Sequence, residues 1–249
     1  MILEMKIDVP DVKGGRCISA EMQNGYILAK YEIGVEMLEC RIDPSSFTGE
    51  WLDHKPSSRR QMETKKLYTD AKEKGRLHAF TCMKMDASVS NQRLLYQKGL
   101  PIKTGFSQRQ WEKMLKDYNP GRNSRQMTRT EYVCRNLFLI QKLVESGLEI
   151  SKAWESICDD SKNIGHYRNA YNPKNKLEPT GSREIVCGFM DLANVWKFIA
   201  EDPWEKTGGF WAAGGSYYAF SDSYPVADLI HNSDVLSTSY EGVGMIALD

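Results

Sequence analysis

Apolar positions follow two different rhythms along this chain. From Asn24 to Leu38 the sequence NGYILAKYEIGVEML is mostly apolar behind a turn-like Asn24-Gly25, which predicts strands up to about Glu39. Past Asp43 the apolar density falls through Pro44-Ser45-Ser46 and Pro56-Ser57-Ser58, and the polar METKKLYTDAKEKGR predicts a helix over Met62–Lys74. A helical period then takes over. Ser107-x-x-Gln110 has capping-box form ahead of Trp111, Leu115 and Tyr118, and Pro120-Gly121 ends that helix. Thr128-x-x-Glu131 opens another, with Val133, Leu137, Ile140 and Val144 at helical spacing and Gly147 as its stop. A shorter helix from Ser151 to about Asp159 is expected to bury Ala153, Trp154 and Ile157. SKNIGHYRNAYNPKNKLEPTGSRE reads as a long polar loop. After Ile185 come VCGFMDLANVWKFIAED, the glycine-rich GGFWAAGGSYY and a last strand, VGMIAL.

Composition adds mainly exclusions. With 249 residues, 41% apolar and 27% charged, the chain has enough material for a real core and is neither disordered nor fibrous. No run of about 18 apolar residues is present, so no membrane span is expected. The start MILEMKIDVPDVKGG lacks the basic and apolar regions of a signal peptide, which points to synthesis in the cytoplasm. The six cysteines form no C-x-x-C pair and read as reduced, mostly buried thiols, and the four histidines have no finger spacing. No structural metal and no cofactor is expected.

Lys+Arg and Asp+Glu balance at 33 each, which lowers the expectation of nucleic-acid binding. The distribution is uneven, however. Residues 54–76 carry net +5 and residues 92–135 net +7, whereas everything from Phe198 onward carries net −7. A basic middle that meets a polyanion is one reading. The plainer one, favoured here, is solvated helices and a basic middle facing the acidic end across one fold.

Several segments resemble a known family. Gly188-Phe-Met-Asp191-Leu-Ala-Asn194-Val-Trp196-Lys-Phe, then Gly214-Gly215-Ser216-Tyr217, then Gly242-Val-Gly244-Met-Ile-Ala-Leu resemble the formylglycine-generating-enzyme-like branch of the C-type lectin fold. Ala29-Lys30-Tyr31-Glu32-Ile33 and Met127-Thr-Arg-Thr-Glu131-Tyr132 fit two further blocks of it, in the right order. The pattern departs at Ala193 (Gly in the family), Lys197 (Glu) and Met245 (Arg), and residues of about 53–125 stand as a polar insert that it does not explain. The resemblance implies an α+β, C-type-lectin-like single domain with small twisted antiparallel sheets and flanking helices. Trp196 and Trp211 are the expected core anchors, and Gly208, Gly209, Gly214 and Gly215 are expected to permit tight turns and close backbone approach.

Catalysis finds little support in the same residues. Oxidising members of that family use C-terminal cysteines, and the last one here is Cys187; iron-dependent relatives use a histidine triad that is not present. No Gly-x-Ser-x-Gly, P-loop or HExxH motif occurs. No catalytic residue is assigned.

One stretch stands apart. Ser216 to Tyr240, SYYAFSDSYPVADLIHNSDVLSTSY, contains no Lys, Glu, Gln, Met, Trp, Arg or Cys, although the first five of these types make up about a quarter of the chain. Chance alone would give that absence on the order of once in a thousand windows. Tyr, Ser, Asp, Asn and His are instead abundant, the vocabulary of adaptable binding loops. They are also the residues reached when the first two bases of an AAC-type codon are randomised. The stretch therefore resembles the variable region of proteins diversified by retroelements, whose C-type lectin domains serve phages or bacteria in binding. The expected contact residues are Tyr217, Tyr218, Phe220, Asp222, Tyr224, His231, Asn232, Asp234, Ser237, Ser239 and Tyr240, within a binding region of about 216–241, with Pro225 to Leu229 as scaffold between two patches. The implied function is non-catalytic recognition of a protein or glycan on a cell surface, on a virion or by a bacterial host, with a homo-oligomer compatible with it. Two alternatives stay open: an atypical oxidoreductase of the formylglycine-generating type, and a nucleic-acid module that uses the basic 54–135 region through Arg59, Arg60, Lys65 and Lys66.

Overall fold

The computed structural model describes residues 15–23, 26–33, 39–84, 86–90, 93–95, 98–118, 124–168, 176–205, 210–232, 241–244 and 246–248. Along the chain it runs β1 (Gly15–Gln23), β2 (Tyr26–Ile33), β3 (Glu39–Ile42), α1 (Glu50–Asp53), α2 (Arg59–Glu73), β4 (Phe80–Met83), β5 (Ser88–Ser90), β6 (Arg93–Leu95), α3 (Gln108–Tyr118) and β7 (Ser124–Gln126). The second half adds α4 (Arg129–Glu145), α5 (Ile150–Cys158), β8 (Glu184–Val186), β9 (Phe189–Met190), β10 (Trp196–Ile199), β11 (Phe210–Ala213), β12 (Leu229–Asn232), β13 (Glu241–Gly244) and β14 (Ile246–Leu248). The architecture is α+β: helices packed with small, mainly antiparallel sheets.

Local chemistry explains where the helices begin. Ser58 accepts from Gln61 N and starts α2 three residues ahead of the predicted Met62, because the cap and not the first apolar residue sets the boundary. The α3 segment follows Ser107, whose hydroxyl accepts from Gln110 N at 3.3 Å while Gln110 Oε1 accepts from Ser107 N at 2.7 Å. Both halves of the predicted capping box are present at α4, where Thr128 accepts from Glu131 N and Glu131 from Thr128 N. Gly147, with φ +99°, stops that helix as expected.

Two apolar clusters hold the elements together. The larger surrounds α4, whose Tyr132, Val133, Leu137 and Ile140 pack with Trp154 and Ile157 of α5, Ile42, Phe80 and Cys82 of β3 and β4, and Phe189 and Ile199. The second gathers Trp111, Met114 and Leu115 of α3 with Val89, Leu94, Val195 and Phe198. Burying one such aliphatic side chain contributes roughly 2 kcal/mol. Trp111 and Trp154, both 0% exposed, are the aromatic anchors. Trp211, half-buried, packs against the larger cluster as expected, whereas the expectation for Trp196 is corrected: it is half-buried at the start of β10 and belongs to neither cluster, the strand's contribution coming from Phe198 and Ile199 on opposite faces.

The sheets show why distant segments meet. Of the two four-stranded sheets, one runs β3-β4-β14-β7 and the other β12-β11-β10-β13, in which β10 and β13 are parallel, while β1-β2, β5-β6 and β8-β9 form two-stranded pairs. The predicted last strand is thus two strands, one in each sheet, and both complete sheets begun far upstream. Nor is the 53–125 segment an appendage. Its β4 lies between β3 and β14, and its α3 supplies the centre of the second cluster. At the other end of the chain β1 and β2 are strands, as expected, and pair as a hairpin with Gly15 opposite Ile33, while the turn-like Asn24-Gly25 falls outside the described residues.

The charge reading favoured above holds where it can be followed. Arg60 of the basic middle pairs with Asp228 at 3.0 Å, and Arg129 with Glu205 and Asp202 of the acidic end.

Candidate binding face

The loop from Ser216 to Asp228, between β11 and β12, is fastened from below by its backbone. Tyr217 N donates to Asn194 O at 3.0 Å, Arg168 N to Ala219 O at 3.1 Å and Ala227 N to Ile157 O at 2.9 Å. Three buried side chains add to this. Tyr167 OH donates to Tyr224 O at 2.8 Å, Tyr132 OH to Val226 O at 2.6 Å, and Ser161 Oγ accepts from Val226 N at 2.9 Å. The loop enters through two glycines. Gly214 has φ +74°, and a Cβ on Gly215 would come within 2.4 Å of Tyr224 O and 2.5 Å of the Tyr167 ring. The chain can close over Tyr167 only because both side chains are absent. Gly208 and Gly209 lie outside the described residues.

With its backbone anchored, the loop divides its side chains cleanly. Ser216, Ser221, Pro225, Val226 and Ala227 are buried, so Pro225–Ala227 form the scaffold expected of them. Tyr218, Phe220 and Tyr224 are 49%, 47% and 40% exposed, and Asp222 and Ser223 are exposed beside them. Tyr217 is half-buried, its ring edge-on to Tyr218 with centres 6.5 Å apart. The Tyr224 ring leans edge-on against Trp196 at 5.2 Å, so the partly exposed tryptophan supports the face. Solvent-exposed aromatic rings on a fixed backbone provide contact area at low entropic cost.

The other predicted contacts separate from this group. His231, on β12, stands edge-on to Trp211 at 5.1 Å and 3.6 Å from Glu201 Oε1. Asn232 closes β12 opposite Phe210. Its side chain, together with Asp234, Ser237, Ser239 and Tyr240, lies outside the described residues.

Three supporting residues escaped sequence reasoning. Arg168 has its guanidinium carbon 5.7 Å from the Tyr218 ring centre and 5.6 Å from that of Phe220. Arg60 of α2 donates to Asp228 Oδ1 and to Asp222 O and Ser223 O, tying the 53–125 segment to the loop. Burial pushes the Asp228 carboxyl up against this pull from Arg60. Asp160 accepts from Ser221 Oγ at 2.5 Å; burial works to raise its pKa, but Ser221 and Lys162 hold it below the usual carboxylate range. Nothing in the local sequence marks these partners, since Arg60 reaches across more than 160 residues.

Behind the loop a cavity of about 820 Å³ runs along α2, lined by Arg60, Lys66, Asp70, Arg129, Asp159 and Trp211 among others. Its charges alternate in sign and give no single-sign track. The cations considered for nucleic acid are largely spent internally: Arg59 on Glu63, Arg60 on Asp228 and Lys65 on His54 O.

A second polar cluster is buried. Lys197 pairs with Asp86, and Asp191 accepts from Gly181 N at 2.6 Å, Ser182 N at 3.2 Å and Asp86 N at 3.4 Å. His166 Nε2 lies 3.8 Å from Asp191 Oδ1. Burial, with Asp86 adding to it, pushes Asp191 up to about 7. Burial, with Arg183 and Lys197 adding to it, pushes His166 down to about 4. All four side chains are at most 8% exposed. Among the described residues no group of three or more His, Cys, Asp or Glu is arranged to hold a metal ion. No helix among them is long and apolar enough to cross a membrane.

Comparison with protein-family models, with curated proteins and with solved structures gives no match for this chain.

Proposed function

We propose that this chain is a binding protein whose 216–224 loop, with Tyr218, Phe220 and Tyr224 outward, recognises a protein or glycan ligand by non-covalent contact. The proposal includes the finer reading that the loop is a diversified region on a C-type-lectin-like scaffold of the retroelement type. One observation carries it. Within the compositionally biased stretch, the described residues 216–227 divide into buried anchors and exposed aromatic and small polar groups on a fixed backbone. A variable surface requires that separation, because residues that change must not carry the fold.

Three of the sequence blocks that carry the lectin-like resemblance also meet through the backbone. Ala200, just past the Trp196 block, donates to Met127 O at 2.9 Å and accepts from Arg129 N at 3.0 Å, and Tyr217 N reaches Asn194 O. The oxidoreductase alternative draws less support, since burial pushes Cys82, Cys134 and Cys158 well up and keeps them from acting as thiolates.

The decisive test is deep sequencing of the 3′ end of the gene, with its flanking DNA, from a population grown from one clone. Substitutions are expected to concentrate at the codons for Tyr217–Tyr224 and His231–Tyr240 and to match adenines in a nearby near-copy. A region as invariant as the rest, with no near-copy beside it, would overturn the diversification and leave a fixed binder.

A further inference from the structure

The exposed face holds a cation that the 216–240 composition does not reveal. Arg168 precedes that stretch by almost fifty residues, yet its backbone N–H is bonded to Ala219 O and its guanidinium carbon lies 5.7 Å from the Tyr218 ring centre and 5.6 Å from that of Phe220. Several other arginines of the chain meet a carboxylate: Arg59 meets Glu63, Arg60 meets Asp228, Arg125 meets Glu131, and Arg129 meets Glu205. Among the described residues no carboxylate pairs with Arg168, which is exposed.

A guanidinium held against aromatic rings is partly desolvated and oriented, and its forked N–H edge is left for a planar two-oxygen acceptor. Such a charge-assisted pair is stronger and more directional than a neutral hydrogen bond. The surroundings narrow the choice of anion. Asp222 is exposed on the same loop, Asp160 lies under it on Ser221, and the nearby Lys162 is engaged by Asp160 at 3.4 Å. A polyanion such as nucleic acid or an acidic membrane needs several cations in a row, and these carboxylates would repel it. One carboxylate, flanked by apolar groups that cover Tyr218, Phe220 and Tyr224, fits. Arg set among exposed aromatics is also the composition of protein–protein hot spots.

Resting on the reading of this loop as a binding face, we infer that Arg168 is its anion-recognising residue and that the partner is a protein presenting an Asp or Glu side chain next to an apolar one. The residue would stay constant while the loop around it changes, giving every variant the same charged anchor.

The test starts from a displayed random peptide library panned on the immobilised full chain. Peptides that bind it but not the Tyr218→Ala/Phe220→Ala variant are then taken forward. These are expected to carry an Asp or Glu whose replacement by Ala weakens binding about tenfold or more, an effect that vanishes on Arg168→Gln. Arg168 is exposed, so Arg168→Gln should melt like the parent chain, and that is checked by thermal unfolding. Face-dependent peptides that lack an acidic residue, or that bind Arg168→Gln equally well, overturn the inference and leave the binding face standing. If no selected peptide depends on Tyr218 and Phe220, the inference and the binding-face reading fall together.

Discussion

Among the described residues, three other than glycine adopt left-handed backbone: Cys187 (φ 51°), Asp191 (φ 58°) and Ala193 (φ 56°). Each pays about 1 kcal/mol for crowding its Cβ against the following carbonyl, and each is compensated differently. Asp191 recovers the cost through the three backbone N–H groups its carboxylate accepts. Ala193, where the resembled pattern has Gly, buries its methyl at 3% exposure in the main cluster, so Gly there would gain backbone freedom and lose packing. Cys187 has neither form of compensation. It is exposed in the two-residue turn between Val186 and Phe189, followed by Gly188 at φ 78°. Both turn residues therefore have positive φ, the geometry that Asn-Gly adopts most readily. Cys187→Asn is expected to stabilise the chain by about 0.5–1 kcal/mol, seen as a higher urea midpoint at unchanged slope. A midpoint equal to or below the parent's would show that the turn is not limited by its first residue.

Between elements, the decisive contacts are ionic and long-range. Lys197 of β10 stands where the resembled pattern has Glu, and at 4% exposure it is neutralised by Asp86, which precedes β5 in the 53–125 segment. One buried ion pair thus ties β10 to the 53–125 segment. Lys197→Met should cost about 3–5 kcal/mol, because the Asp86 carboxylate would stay buried without its cation. Lys197→Met/Asp86→Leu should recover most of that loss, and urea unfolding of the two single variants and the double variant measures the coupling. Additive losses would mean that the pair is not coupled. The same contrast explains what could be read from the sequence. Helices α2 to α5 were legible because caps or apolar stripes are local signals, the cap at Thr128–Glu131 and the stripe of Ala153, Trp154 and Ile157, although the Ser58 cap of α2 was not read. Strands of two to four residues carry too few positions to show an alternation, and β4, FTCM, is buried throughout, so that it displays none. The sheet partners of β4, β13 and β14 depend on pairings across about forty residues or more. Of the face, the aromatic loop was legible through composition. Arg168, Arg60 and Trp196 were not, because what places them there is tertiary.

For the molecule as a whole, buried titratable groups pull stability in opposite directions as pH changes. Burial works against the charge on Glu131, but Arg125, Thr128 N–H and His78 outweigh it and hold the carboxyl below its ordinary value, so this support is lost as pH falls below about 4.5. His166 is neutral in the fold down to about 4, whereas the unfolded chain takes its proton near 6.5. It therefore removes stability as pH drops through that window, by up to about 3 kcal/mol at 1.36 kcal/mol per unit. Asp191 does the reverse. Its folded form keeps a proton up to about 7, and an ordinary aspartate releases it near 3.8, so lowering the pH across the same range restores stability. The two effects offset each other between about pH 4 and 6.5, and a broad stability plateau is expected there, falling away on the acid side with Glu131 and between about pH 6.5 and 7, where Asp191 still loses stability with rising pH and His166 no longer offsets it. Variants separate the two contributions. His166→Gln leaves Asp191 acting alone, so its urea midpoint should rise as pH is lowered from 7 to 5. Asp191→Asn leaves His166 acting alone, so its midpoint should fall over the same range, from a value already reduced because one carboxylate acceptor has become a donor facing backbone N–H groups. Slopes of the same sign in the two variants would overturn this assignment, since with Arg183 and Lys197 fixed nearby only opposed protonation of the pair produces the divergence.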